Sequence, residues 1–308
     1  MAGRYFGSRI ALLRAGTSGA GPAANQRAIF GYGYTGVVVS ITNLVTNTGV
    51  VGNDVTGVGT ARYGLAAAGY GTDKAIFGYG NTGSNVSMTN LVSNTGVVAN
   101  DTTGVGTARA YLAAAGYGTD KAIFGYGSAG RFFYSLTNLV SNTGVVGSDV
   151  TGVGTVRSSL AAASYGTDKA IFGYGAAGGV TSITNLVSNT GVVATDTTGV
   201  GTARYLLAAA GYGTDKAIFG YGYIPSYVSM TNLVSNTGVV STDTTGVGTA
   251  RAYLAAAGYG TDKAIFGYGY DSAFYSITNL VSNTGVVSTD TTGVGTARSD
   301  LAATAYGT

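Results

Sequence analysis

The sequence has no cysteine and no histidine, and its 13 acidic residues are all aspartates. Without cysteine, the chain has no disulfide framework, no thiolate nucleophile and no cysteine metal site. Histidine is the commonest general base and the commonest transition-metal ligand, so its absence disfavours both kinds of chemistry. Charged residues make up 9% of the chain and the net charge is +3, too little to predict nucleic-acid binding. No apolar run reaches membrane-spanning length, so the sequence predicts no membrane insertion.

Most of the chain consists of six near-identical repeats. The motif (R/K)AIFGYG recurs at steps of 47 or 48 residues and begins at Arg27, Lys74, Lys121, Lys169, Lys216 and Lys263. A second motif, T(A/V)R, also occurs six times and ends at Arg62, Arg109, Arg157, Arg204, Arg251 and Arg298. The near-identity indicates recent duplication or deliberate construction. A repeat of this length that holds several short strands is typical of a propeller blade.

Each repeat predicts four antiparallel strands, named a to d. Strand a is the small, apolar LAAAGYG (65–71), and strand b is KAIFGYG (74–80), whose glycines allow close backbone packing. Strand c is SMTNLVSN (87–94), which largely alternates apolar and polar residues, and strand d is the short GVVAND (96–101). Because no segment carries a helical apolar stripe without two or more glycines, the fold class is predicted to be all-β.

The two ends of the repeat array predict closure into a ring. The last strand of type a (301–308) is followed by no strand of type b, and the first strand of type b, at Arg27, is preceded by no strand of type a. We therefore expect the C-terminal strand to join the blade formed by residues 27–62, which removes an exposed sheet edge. This predicts a six-bladed β-propeller over residues 25–308, with residues 1–24 as a flexible or attachment arm.

The repeat resembles the kelch repeat. The similarity rests on the small apolar strand, the (R/K)AIF strand that ends in glycines, the variable loop, the Asn/Thr turn and the arginine before the next small strand. GYG stands where kelch repeats have paired glycines, and valines replace the usual outer-strand tryptophan. The resemblance covers about residues 27–308. Because kelch-like propellers mostly bind proteins or sugars and only a minority are enzymes, it implies a propeller that binds one of these ligands.

The repeats differ from one another in two places, the loops between strands b and c and the two residues after the repeat arginine. In a four-stranded blade both places lie on one face, here called the variable face, whereas the a–b and c–d turns on the other face are nearly invariant. The predicted binding residues of the variable face are Tyr34, Tyr63, Asn85, Tyr111, Arg131, Phe132, Phe133, Tyr134, Tyr205, Tyr223, Tyr227, Tyr253, Tyr270, Asp271, Phe274 and Tyr275.

Tyrosine mixed with serine and glycine is typical of adaptable binding loops on a rigid scaffold. We therefore expect a non-enzymatic protein that binds a carbohydrate or a protein surface, without cofactor or metal, in an extracellular or virion-surface setting. Neutral loop drift is the alternative reading of the same variation. An alternative function is that of a structural or assembly subunit, with contacts through residues 1–24, or of a designed scaffold without a native ligand.

Two further sets of residues are candidates for ion binding or catalysis. The six repeat arginines are predicted to brace loops through backbone carbonyls or the repeat aspartates, with anion binding as the alternative. Those aspartates are a weak basis for a calcium site, because one carboxylate per site compensates little charge. Asp271 and Asp300 lie outside the repeat pattern and form the one candidate pair for acid–base catalysis, which is the basis of a hydrolase alternative.

Overall fold

The computed structural model describes residues 26–307, and all secondary-structure elements in that range are β-strands. The prediction of an all-β chain is therefore confirmed for these residues. Six antiparallel sheets have three strands each, and a seventh sheet is a two-stranded hairpin. None of residues 26–307 belongs to a helix that is long and apolar enough to cross a membrane. The predicted arm, residues 1–24, lies outside the described residues.

Strands are numbered β1 to β20 in chain order, and each three-stranded sheet contains one strand of each of three kinds. The alanine strands are β3 (Ala66–Tyr70), β6 (Ala113–Tyr117), β11 (Ala161–Tyr165), β14 (Ala208–Tyr212), β17 (Ala255–Tyr259) and β20 (Ala302–Tyr306). The middle strands are β1 (Arg27–Tyr34), β4 (Lys74–Asn81), β7 (Lys121–Gly125), β12 (Lys169–Gly173), β15 (Lys216–Gly220) and β18 (Lys263–Tyr270). The third strands are β2 (Val38–Val45), β5 (Asn85–Val92), β10 (Thr137–Val140), β13 (Thr184–Val187), β16 (Thr231–Val234) and β19 (Phe274–Val281).

The small hairpin belongs to the third repeat, which has the longest b–c loop. It consists of β8 (Ser128–Ala129) and β9 (Phe132–Phe133), which pair with each other.

The core lies between consecutive sheets. In the second sheet, Ala68 of the alanine strand pairs with Ile76 of the middle strand, and Ile76 pairs with Leu91 of the third strand. Residues from AIFGYG are buried on both faces of the middle strand, as expected where sheets pack on either side. A Cβ on Gly31 would lie 2.7 Å from Cζ of Phe77, so glycine is required where the aromatic ring of the next sheet approaches the backbone.

The predicted fourth strand is largely wrong. GVVAND and its copies contribute isolated bridges instead of a continuous strand, such as that of Val92 with Val98, and a second bridge, of Thr89 with Thr102, lies just after the segment. Its first valine, Val97, is 65% exposed, so only one of the paired valines contributes to the core. A segment at the sheet edge that contains few inward-facing side chains has too little burial to hold a full ladder.

The first and last repeats share a sheet. Strand β20 pairs with β1 in antiparallel register, from Tyr306 opposite Arg27 to Ala302 opposite Gly31. Alanine strands of consecutive sheets contact one another, and β20 contacts both β17 and β3. The alanine strands therefore follow one another in a cyclic order, and two cavities are lined by residues from all six of them.

Candidate functional site

The two variable segments of each repeat lie side by side. The first residue after each arginine forms a bridge with the start of the b–c loop that follows it, as Tyr63 does with Asn81 and Tyr205 with Tyr223. The remaining bridges of this kind join Tyr34 to Ser299, Ala110 to Ser128, Ser158 to Ala176 and Ala252 to Tyr270. Each post-arginine segment is therefore adjacent to a variable b–c loop.

The second residue after each arginine belongs to a closed ring of backbone hydrogen bonds, here called the variable-side ring. In each case the amide donates to the carbonyl of the previous member, and Gly64 donates to Asp300, at distances of 2.7–3.0 Å. The members are Gly64, Tyr111, Ser159, Leu206, Tyr253 and Asp300. They line a cavity of about 120 Å³, here called the variable-side cavity, whose walls continue into the leucines and alanines of the alanine strands.

Eight aromatic side chains of the variable face form a continuous chain of ring contacts, here called the aromatic arc. Neighbouring ring centroids lie 5.0–6.4 Å apart, in tilted or edge-to-face orientations that suit the ring quadrupoles. In order, the arc consists of Tyr205, Tyr223, Tyr227, Tyr270, Phe274, Tyr34, Tyr63 and Tyr111. Its last member, Tyr111, also lines the variable-side cavity.

The third repeat interrupts the aromatic surface. Phe132 and Phe133 lie on the β8–β9 hairpin, where Phe132 is 71% exposed. Within residues 26–307, neither ring pairs with a ring of the arc. Arg131 is exposed beside them, and the amide of Tyr134 donates to the carbonyl of Gly127 at 2.9 Å. These four predicted residues therefore form a separate surface feature.

The other predicted residues take part in local contacts. Asn85 accepts a hydrogen bond from Nδ2 of Asn81 at 2.9 Å. The carboxylate of Asp271 lies beside the hydroxyl of Tyr275, and this contact raises the pKa of the tyrosine. Tyr253 lines the variable-side cavity rather than the arc.

The two acids outside the repeat pattern occupy different environments. Asp271 lies in the b–c loop of the sixth sheet, where it accepts a long hydrogen bond from Ser272 Oγ at 3.4 Å. Asp300 lines the cavity, and its Oδ2 accepts a hydrogen bond from Ser299 Oγ at 2.7 Å. Burial raises the pKa of Asp300 to about 6, against a smaller opposite effect of Ser299. The ordinary aspartate pKa is 3.8.

The repeat arginines lie beneath this surface and are fully buried. Arg62 is representative: its Nε donates to the carbonyl of Tyr79 at 2.8 Å, and its Nη2 donates to Oδ1 of Asn90 at 2.6 Å. The guanidinium also stacks 4.3 Å from the ring centroid of Tyr32 in the preceding sheet. Burial lowers the pKa of Arg62, although Tyr32 and Asp101 partly compensate. Each arginine thus contacts two consecutive sheets.

A carboxylate completes each arginine cluster. Asp101 accepts hydrogen bonds from the amide of Thr60 at 3.0 Å and from its hydroxyl at 2.6 Å, and thereby joins one repeat to the next. The same contact between Asp54 and Thr296 joins the first repeat to the last. Burial alone would raise the pKa of Asp101, but hydrogen bonds from Thr60 and Asn90 outweigh it and lower the pKa.

The opposite end of the alanine strands carries a cavity of about 320 Å³, here called the lysine-side cavity. It is lined by one lysine from each of five repeats and by Gln26, which precedes Arg27, the residue at the sixth lysine position. Each lysine Nζ lies 2.7–3.1 Å from the carboxylate of the preceding aspartate, so these cations already have partners. Among residues 26–307, no group of three or more histidine, cysteine or acidic residues is placed to hold a metal ion.

Four members of the variable-side ring are absent from the sequence-based set of binding residues: Gly64, Ser159, Leu206 and Asp300, of which Asp300 was considered only as a catalytic acid. The sequence does show that the second residue after the arginine varies between repeats. Glycine, serine and leucine at that position, however, do not by themselves indicate a binding site. The buried tyrosines beneath the arginines also went unnoticed, because GYG was interpreted through its glycines alone.

No protein-family model matches the chain, and no curated protein matches it.

Proposed function

We propose that this chain is a kelch-like, six-bladed β-propeller that binds its ligand through the variable face without catalysing a reaction. Closure of the ring is supported by the pairing of β20 with β1 and by the contact of Asp54 with Thr296. The closed hydrogen-bond ring at the variable side supports it further. In such a ring each three-stranded sheet, with its short bridged edge, is one blade.

The aromatic arc is the observation that carries the binding function. Rigid aromatic rings supply contact area at low cost in conformational entropy, and their faces suit the apolar faces of sugars and the side chains of a protein surface. The arc is continuous across several sheets, so a ligand larger than one monosaccharide would contact several rings at once. A carbohydrate is the ligand class that this proposal favours first.

The repeat arginines have a structural role in this proposal. Each one is buried, stacks on a tyrosine of one sheet and donates hydrogen bonds to the next, and so is inaccessible to a dissolved anion. They would keep consecutive blades in fixed positions, so that the loops above them form a preorganised surface. A preorganised surface loses less conformational entropy when it binds.

A glycan array tests the proposal. One variant changes three arc residues, Tyr223, Tyr227 and Tyr270, to serine. A matched control changes Phe132 and Phe133 to serine, which removes exposed aromatic area from the same face but leaves the arc intact. We expect the unchanged protein and the control to bind the same glycans and the arc variant to lose them. Equal binding by all three proteins would overturn the role of the arc, and a blank array with folded proteins would overturn the carbohydrate proposal.

A second candidate function is an assembly subunit. It is favoured by one solvent-exposed valine in each repeat, next to the SNTG or TNTG turn, with 62–67% of its surface exposed. These residues are Val50, Val97, Val145, Val192, Val239 and Val286. If they mediate self-association, light scattering should show a mass that rises with concentration and falls to the monomer mass when all six are changed to threonine. A monomer at every concentration would rule out this candidate.

A further inference from the structure

The variable-side ring holds five ordinary residues in a backbone conformation that glycine adopts most readily. Tyr111, Ser159, Leu206, Tyr253 and Asp300 have φ angles of 54–58°, and only the sixth member, Gly64, is a glycine. L-residues in this left-handed region are strained by contact between Cβ and the backbone. If the ring required only its backbone hydrogen bonds, glycine would suit all six positions. Five side chains of four types at strained positions around one cavity point to a role for the side chains.

Among residues 26–307, Asp300 is the only charged side chain in the lining of this cavity. Its Oδ2 accepts the hydrogen bond from Ser299, whereas no hydrogen bond to its Oδ1 is present within residues 26–307. No lysine or arginine in the same range forms an ion pair with it. An ionised carboxylate in a partly apolar cavity is stabilised by a positively charged partner.

Two tyrosines complete the surroundings of the carboxylate. The amide of Asp300 donates to the carbonyl of Tyr253 at 2.9 Å, which makes the two residues neighbours in the ring. On the other side lies Gly64, and a Cβ on it would lie 3.4 Å from Cε1 of Tyr111. The ring of Tyr111 thus covers the glycine next to Asp300. The negative charge of Asp300 raises the pKa values of Tyr111 and Tyr253, after the larger effect of burial.

We propose that the variable-side cavity binds an organic ammonium group, with Asp300 as the counter-ion and Tyr111 and Tyr253 as aromatic walls. A carboxylate combined with aromatic rings attracts a cation through charge and through the ring quadrupoles. Leu206 and the alanines below it would contact the alkyl part of the ligand. One carboxylate offers too few oxygen ligands for Ca²⁺ or Mg²⁺, and no cation of the lining would hold an anion.

The binding test uses tetramethylammonium and methylammonium chloride as probes and amide chemical shifts as the measurement. We expect saturable shifts at the variable-side ring with both cations. Sodium chloride at the same ionic strength and tert-butanol, which is neutral and of similar shape to tetramethylammonium, should leave these amides unchanged. Saturation by tert-butanol with equal affinity, or the absence of saturable shifts with both cations, would overturn the proposal.

Substitutions identify the counter-ion. Asp300→Asn keeps the shape of the side chain without its charge, and it should weaken ammonium binding by about tenfold or more. Asp300→Ser should do the same and places at this position the residue that Ser159 already provides in the ring. Asp73→Asn removes an acid from the lysine side, away from the cavity, and should leave the affinity unchanged. Unchanged affinity in a folded Asp300→Asn variant would contradict the proposal.

The pH dependence provides an independent readout. The titratable groups that face Asp300 are Tyr111 and Tyr253, which stay neutral because burial raises both of their pKa values. Protonation of Asp300 alone should therefore weaken ammonium binding as the pH falls through about 6. A pH-independent affinity between about 5 and 8 would contradict the role of this carboxylate.

The source of the amine is distinguished by a second pair of probes, glucosamine and N-acetylglucosamine, which differ in the charge on nitrogen. Shifts at the ring with glucosamine alone would assign the site to an amine carried on a sugar. Binding of the simple ammonium ions without glucosamine would assign it to a free small amine. Both results support the cation site, and neither depends on the outcome of the glycan array.

Discussion

At both ends of the alanine strands a ring of six backbone hydrogen bonds joins neighbouring repeats, yet the side chains around the two rings follow opposite rules. On the lysine side, the amide of Gly71 donates to the carbonyl of Asp120 at 2.7 Å, and the other repeats form equivalent bonds. Each donor on this side is a glycine, and threonine follows it in five repeats, also in the left-handed region, with φ of 68–70°. On the variable side, the left-handed donor position holds glycine, serine, leucine, tyrosine or aspartate.

This difference distinguishes residues that the fold needs, on the lysine side, from positions where the fold accepts several residue types, on the variable side. Charges on the lysine side are compensated within each turn, whereas the carboxylate of Asp300 on the variable side has no cationic partner among residues 26–307. Since a ring of backbone hydrogen bonds forms at both ends but the residues vary widely at only one of them, the backbone alone does not explain that variation. The variable end is therefore where we place ligand recognition.

The largest expected effect on stability is at the six buried repeat arginines, here called the arginine layer. Arg62→Ala removes a buried cation and takes this donor away from the carbonyl of Tyr79 and from Oδ1 of Asn90 in the interior. We expect the free energy of unfolding to fall by about 3–5 kcal/mol. Urea unfolding followed by circular dichroism measures this change. The exposed Arg131→Ala is the control and should change stability by no more than about 0.5 kcal/mol.

A smaller effect of opposite sign is expected at the variable end. The pKa of Asp300 is raised to about 6, so the folded protein binds this proton more tightly than the unfolded chain does. The resulting stability is fully present below pH 3.8 and is lost as the pH rises through about 6. Asp300→Asn should therefore stabilise the protein at about pH 8 by roughly 1–3 kcal/mol and have little effect at about pH 3.5. Unfolding curves at both pH values measure the difference.

Asp101 provides the matched control, because its pKa is shifted in the other direction. Hydrogen bonds lower its pKa, so its contribution to stability is present above pH 3.8 and is lost as the pH falls through the lowered value. Asp101→Asn should destabilise the protein at neutral pH, and this loss should shrink on acidification. The same pH trend in both variants would mean that the two carboxylates do not differ as the structure indicates.

The smallest effect is expected on the lysine side. Lys74 is exposed, and its one ion pair within residues 26–307 is with the neighbouring Asp73, at 2.8 Å. Such a pair gains little in water, because solvent screens it. Lys74→Ala should leave the unfolding midpoint and the ammonium affinity unchanged. A clear loss of stability would indicate that the lysine side contributes to the framework as strongly as the arginine layer does.

The periodic sequence predicted the all-β class and the positions of three strands in each repeat. It overestimated the outer segment, because the valines of GVVAND have high β-propensity but one of them, Val97, faces solvent. Propensity does not reveal how many partners a segment will have at a sheet edge. The central strands were easier to predict, since their apolar residues are buried on both faces.

The candidate site was predictable as a face but not as a set of contacts. Comparison of the repeats identified the variable segments, including Tyr34 and Tyr227 of the arc. It did not separate the first residue after the arginine, which borders the loops, from the second, which lines the cavity. That separation depends on a left-handed backbone at Tyr111, Leu206 and their equivalents, which nothing in those residue types indicates.

The arginine clusters between sheets have a consequence for how this protein can change. The Tyr–Arg–Asn–Asp contacts are the same at every junction between consecutive sheets. The junctions therefore do not depend on the sequence of the loop next to them. Whole repeats are therefore interchangeable parts, and recombination between near-identical copies would reorder the loops without creating a new folding problem. The aromatic arc is one arrangement among many that the same six junctions would support.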